Sequence, residues 1–184
     1  RRRICKCNKS VSGKDRVARG KQVNIKFSAK TDVGKKRKIN QDSFGAAGDI
    51  GLFLVADGMG GHLAGEIASQ VAVEITKMSL TDWLKKGPPN SEIFARAIQL
   101  ANKGVFEMAE KEQGMKGMGT TIAGILVSNG GFATANVGDS RIYRIRNNSI
   151  EQLSEDHSMV HMQLSQGLIT KEEAKKSAYK NVIT

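Results

Sequence analysis

Asn40-Gln41-Asp42 and, after two short apolar runs joined by Gly48-Asp49-Ile50-Gly51, Val55-Ala56-Asp57-Gly58-Met59-Gly60-Gly61-His62 form the stretch from which the rest of the chain can be read. The runs within 44–55 are extended and the interval between them is rich in turn formers, so a β-hairpin is expected with a carboxylate at each open end. Its second strand delivers Asp57. The glycines after Asp57 let backbone oxygens come close to a cation, and oxygen donors of this kind suit a hard ion such as Mg²⁺ or Mn²⁺.

Working outward, Val23, Ile25 and Phe27 alternate with polar residues as in a half-buried strand. Residues 64–80 switch to helical spacing, with Ile67, Val71, Ile75 and Met78 on one face beside Ala68 and Ala72. Ser91 is placed to cap a second helix whose stripe is Phe94, Ile98, Ala101, Val105, Met108 and Ala109. Residues 121–127, 132–137 and 141–145 are short β-branched runs broken by Asn129-Gly130-Gly131, Gly138-Asp139-Ser140 and Asn147-Asn148, which are hairpin turn signals. Later, Thr170-Lys171-Glu172-Glu173 fits a capping box. Strands, two helices, then strands again predict an α+β fold, an antiparallel β-sandwich flanked by helices in α-β-β-α layers. There is no internal repeat.

The 184 residues, 39% apolar, are enough for one domain with a real core. A net charge of +11 suggests a nucleic-acid binder until its distribution is examined. Residues 1–41 hold fifteen Lys/Arg against two acids, whereas residues 42–184 hold fourteen against sixteen. The basicity is local. Residues 1–22 lack apolar periodicity and read as a basic extension or linker, disordered by composition. Two cysteines, Cys5 and Cys7, are too few for a disulfide framework or a four-ligand zinc site, which fits a reducing cytoplasm. No apolar run approaches the roughly 20 residues needed to cross a bilayer.

Further blocks accompany the hairpin in a fixed order. Arg37-Lys38-Ile39 leads into Asn40, Gly119-Thr120-Thr121 follows the helices, and Val137-Gly138-Asp139-Ser140-Arg141 adds a third acid at the end of an apolar run. Leu153-Ser154-Glu155-Asp156-His157-Ser158 then runs on towards Gln166-Gly167-Leu168-Ile169-Thr170. From about Phe27 onward this pattern resembles the metal-dependent protein phosphatases of type 2C, the PPM family, and its compact bacterial branch most closely.

The resemblance implies a Ser/Thr protein phosphatase in which a metal-activated water attacks the phosphate. It makes Asp57 the carboxylate bridging two Mn²⁺ or Mg²⁺ ions, with the main-chain oxygen of Gly58 on one of them. Asp42 and Gln41 hold metal-bound waters, Arg37 grips the substrate phosphate, and Asp139 helps bind a further, weaker ion. His62, Gly119 and Thr120 support these groups from behind. Residues 23–184 correspond to the N-terminal portion of the family's domain, with a flap over about 157–180. Phosphorylated proteins are the implied partners, including an opposing protein kinase, with no specific nucleic acid and no membrane span.

Each residue also has an ordinary reading. Asp57-Gly58 alone is a turn, Arg37 lies in the charge run Lys35-Lys36-Arg37-Lys38, and His157 and His161 suit stabilising hydrogen bonds. The family's pattern continues past Thr184 with strands bearing two further aspartates, so a fragment or a degenerate member is expected, with weak metal binding in this chain alone. A pseudophosphatase that binds phosphoproteins is the alternative function. An anionic-polymer binder acting through residues 1–38 is a third, weakened by few aromatics and no nucleic-acid motif.

Overall fold

A computed structural model describes residues 24–184 except His62, Asn129, Gly130, Lys180 and Asn181. The expectations for residues 1–22, for His62 and for the start of the Asn129-Gly130-Gly131 turn lie outside the described residues. The hairpin forms as its sequence dictates. Strand β1 (Asp42–Ala47) pairs antiparallel with β2 (Leu52–Met59). Between them Ile50 N–H donates to the Ala47 carbonyl at 3.3 Å, and Gly51 takes φ +71°, a conformation cheap only for glycine. The alternation of β2 then sorts its side chains, so that Leu52, Leu54 and Ala56 are buried while Val55 and Asp57 face the other way.

Helices α1 (Ala64–Leu84) and α2 (Ser91–Lys111) connect β2 to the second group of strands. These are β3 (Gly119–Thr120), β4 (Ile122–Ser128) and β5 (Gly131–Val137). The sheet runs β1-β2-β4-β5, with β3 paired to the end of β2 at Gly58 and Met59, and every pairing is antiparallel. A separate ribbon joins β6 (Tyr143–Arg146) to β7 (Ser149–Gln152) through Asn147 and Asn148, both at positive φ as the favoured two-residue hairpin turn requires. Short helices α3 (Met159–Ser165) and α4 (Lys171–Lys176) follow.

The core lies between one face of the sheet and the two long helices. Leu52 and Leu126 from the sheet meet Leu80, Phe94 and Ile98 from the helices, all fully buried. Burying side chains of this size contributes about 1.5–3 kcal/mol each. Close approach is bought with small residues: a Cβ on Gly124 would strike Leu54 and lie 2.9 Å from the ring of Phe94. The α+β class and the helix-covered antiparallel sheet are therefore as the sequence predicts.

Four details differ. The buried face of α1 is Ala68, Ser69, Ala72, Val73, Thr76 and Leu80, while Ile67, Val71 and Ile75 are half-buried and Met78 is 64% exposed. Small residues sit under the helix because it lies close on β1 and β2, and Ile75 instead packs against α2, where a Cβ on Gly104 would strike it. Asn90, not Ser91, caps α2, its side chain accepting from Ile93 N–H at 2.8 Å. No strand forms at residues 24–28; Phe27 packs on Phe53 across the sheet's outer face, ring centroids 5.0 Å apart. With no strand partner for Ile25 and Phe27, the ring contact of Phe27 is what fixes this segment on the sheet. Finally, the third strand of the second group is displaced into the β6–β7 ribbon rather than continuing a meander. The capping box at Thr170 and Glu173 is formed as expected.

Candidate active site

The hairpin register sets Asp42 directly opposite Asp57. Directly opposed residues in an antiparallel pair have Cβ atoms about 4.5–5.5 Å apart, so both carboxylates leave the sheet at one point. Backbone hydrogen bonds fix that point. Gly58 N–H donates to the Gln41 carbonyl at 3.0 Å, and Asp42 N–H donates to Asn40 Oδ1 at 3.1 Å. Ser69, fully buried on α1, places its Oγ 2.7 Å from the same Gln41 carbonyl and 2.8 Å from Ser43 Oγ, which clamps β1 on both sides of Asp42.

Asp57 is held at both ends of its peptide unit. Its N–H donates to Thr121 Oγ1 at 2.9 Å, and its carbonyl accepts from Thr121 N–H at 2.9 Å and from Thr120 Oγ1 at 3.1 Å. The hydroxyl of Thr121 also lies 2.7 Å from Ser140 Oγ, tying this strand end to the Gly138-Asp139-Ser140 turn. The turn is anchored in its own right, since Gly138 N–H donates to His157 Nδ1 at 3.3 Å and His157 N–H donates to the Gly138 carbonyl at 2.9 Å.

The electrostatics show which side chains feel one another. The Asp57 carboxyl is pushed above its ordinary range, first by burial, then by the Asp42 charge and a hydrogen bond with Asp42, and further by Asp139, while Arg37 pulls it down. Asp42, Asp139 and Arg37 thus all lie within electrostatic reach of Asp57. Asp42 and Asp139 are exposed and Asp57 is partly buried, and like charges this near one another favour a cation between them. Among the described residues no three His, Cys, Asp or Glu side chains gather tightly enough to ligate an ion unaided. The Asp42–Asp57 pair nevertheless fits a small hard cation, because Mg²⁺ keeps several waters and commonly takes only one or two protein carboxylates.

Of the supporting residues, Gln41 donates from Nε2 to the Gly60 carbonyl at 3.2 Å and so braces the loop after Asp57. Gly119 lies where a Cβ would come within 2.9 Å of Met59 Cε, a packing reason for its glycine. Ser69 and Thr121 were not among the predicted supports. Thr121 sits in the quoted Gly119-Thr120-Thr121 block, but nothing in a sequence says which of two adjacent hydroxyls turns inward; at 2% exposure it is Thr121.

A family model described as protein phosphatase 2C matches residues 34–182. The chain belongs to the protein phosphatase 2C family. Among curated relatives, the serine/threonine phosphatase stp of Listeria welshimeri is 37% identical over 169 residues, spanning 84% of this chain and 63% of the relative. Protein phosphatase PhpP of Streptococcus pneumoniae is 37% identical over 165 residues, spanning 87% and 66%. The serine/threonine phosphatase PstP/Ppp of Mycobacterium tuberculosis superposes with a TM-score of 0.76 at 32% identity, over 85% of this chain and 65% of that one. A structure of the PstP catalytic domain in complex with two manganese ions gives 0.68 at 34% identity, over 80% and 62%. The chain therefore spans a little under two thirds of these phosphatases. The family match includes Arg37, Asp42, Asp57, Gly58 and Asp139 within its limits.

Proposed function

We propose that residues 23–184 act as part of a type 2C phosphatase domain that hydrolyses phosphoserine and phosphothreonine in proteins. The observation that carries this reading is the opposed pair Asp42 and Asp57 within a matched protein phosphatase 2C segment. Asp57, the Gly58 carbonyl and Asp42 would hold two Mn²⁺ or Mg²⁺ ions, and Asp139 a further, weaker one. Bound there, such ions lower the pKa of water and neutralise the phosphoryl oxygens. The chain's own residues do the rest. Arg37 offers a planar fork of donors that pairs with a phosphate dianion and orients it. Asp42 and Gln41 orient water, and Thr121 and Ser69 keep the two strand ends in register. Residues of about 157–180, including α3 and α4, serve as a flap beside the site.

Phosphorylated proteins are the substrates in this reading, an opposing Ser/Thr kinase among them, and the cytoplasm is the place of action. Its support is chemical, since the two cysteines make no disulfide framework, and no helix among the described residues is long and apolar enough to cross a membrane.

The test is Mn²⁺-dependent hydrolysis of p-nitrophenyl phosphate by the 184-residue chain, alone and fused to the part of the Listeria phosphatase that it does not span. Turnover by the fusion that chelation abolishes supports the reading. A folded fusion with no metal-dependent turnover sinks it.

A further inference from the structure

We propose that the loop over residues 31–40 is a docking surface for acidic sequence flanking the phosphorylated residue of a substrate protein; this rests on the phosphatase reading above. The loop is closed at its neck, where Asn40 Nδ2 donates to Thr31 Oγ1 at 2.7 Å. At its tip a turn begins with Gly34 at φ +73°, whose N–H donates to Asp32 Oδ1 at 2.7 Å. It projects Lys35, Lys36, Arg37 and Lys38, with Lys30 just before the neck, and all five are exposed. Asp32 is the loop's only acid and its carboxylate is already engaged by the turn. None of these five cations forms an ion pair among the described residues, although Lys77, Lys85, Lys103, Lys111, Arg141 and Arg144 all do.

An uncompensated run of charge is ordinarily a solvated face. Two observations set this one apart. First, the neck is joined to the site, because Asn40 Oδ1 accepts the N–H of Asp42 at 3.1 Å. Second, Arg37 and Lys38 lie within six residues of Asp42, which the hairpin register sets opposite Asp57, so the loop's cations are tethered beside the carboxylate pair. A phosphorylated side chain reaching Arg37 would lay its neighbouring residues along Lys35, Lys36 and Lys38. Those lysines select Asp and Glu there and disfavour Lys and Arg.

A nucleic acid is the other polyanion such a loop could take. The opposed carboxylates Asp42 and Asp57 at the loop's neck disfavour it, since they would repel a continuous phosphate backbone that runs on past Arg37. A peptide needs only one phosphate at the centre.

The experiment measures fluorescence anisotropy of the full chain with two labelled peptides, each carrying a hydrolysis-resistant phosphonate in place of phosphothreonine, one with Asp and Glu flanks and one with Ser and Ala flanks. The acidic peptide should bind about fivefold to thirtyfold more tightly, as expected for two or three exposed charge pairs, with the preference fading at high salt. The exposed triple variant K35A/K36A/K38A should bind both peptides alike. Equal binding of the two peptides by the unaltered chain, no binding of either, a preference that survives the triple variant, or tighter binding of a single-stranded oligonucleotide each overturns the proposal. Because this assay needs no turnover, its failure is separable from a failure of phosphatase activity in the p-nitrophenyl phosphate test.

Discussion

Thr121 Oγ1 stands 2.7 Å from Ser140 Oγ while accepting the N–H of Asp57 at 2.9 Å, so one buried hydroxyl joins the two strand ends that carry Asp57 and Asp139. Removing it should be felt at both. Thr121→Val keeps the shape but leaves a backbone donor without its partner, and should lower unfolding free energy by about 1–3 kcal/mol in urea titrations. Thr121→Ser, which restores the hydroxyl, should recover most of the loss. Equal losses from both variants would show that packing of the methyl, not the hydrogen bonds, matters here.

Asp57→Asn separates function from stability. Its carboxyl binds a proton more tightly folded than unfolded, since burial and Asp42 raise it above 3.8, so ionising it costs stability as pH rises through and above that value. The metal-free variant should therefore melt above the unaltered chain at neutral pH, with the gap closing as pH falls toward 3.8. In the fusion protein the same change should abolish Mn²⁺-dependent turnover. A variant that melts lower at neutral pH would mean the carboxylate is structurally required.

Arg37→Ala tests the phosphate grip. Loss of a charged donor pair to the phosphate should raise KM for p-nitrophenyl phosphate by about tenfold or more, with a smaller fall in kcat. An unchanged KM would return Arg37 to the solvated charge run in which it sits.

Asp156→Asn probes the anchor behind the flap. Burial opposes ionisation of Asp156, but the Arg141 guanidinium, donating from Nε to Oδ1 at 2.9 Å, outweighs it and holds the carboxyl below 3.8. Stability from this pair is present above 3.8 and is lost as pH falls through the depressed folded value. Because Arg141 is 48% exposed, the variant should cost only about 1–2 kcal/mol at neutral pH. It should cost nothing in strong acid.

The hairpin, the two long helices and the meeting of Asp42 with Asp57 at the hairpin's open end were legible because each rests on local signals: alternation, glycine-bracketed turns, helical stripes and acids at strand ends. What escaped depends on distance between elements. The face α1 buries is decided by how near it lies to β1, which favoured Ala68, Ala72 and Thr76 over the larger Met78. Asn90 won the cap over Ser91 by one residue of phase. The roles of Ser69 and Thr121 require knowing which strand lies beneath a hydroxyl, and no periodicity encodes that. Ile25 and Phe27 misled because alternation signals a strand only where a partner strand exists.

The contact between Gly58 and Gly65 reaches further than packing. A Cβ on Gly58 would collide with the Gly65 carbonyl, and one on Gly65 would come within 2.7 Å of the Gln41 amide and 3.0 Å of the Gly58 carbonyl carbon. The three positions are thus locked against independent drift. A side chain at 65 is admissible only if the Gln41 amide swings away or residue 41 is shortened, and one at 58 only after α1 has moved, so a substitution at one of these positions depends on what stands at the others.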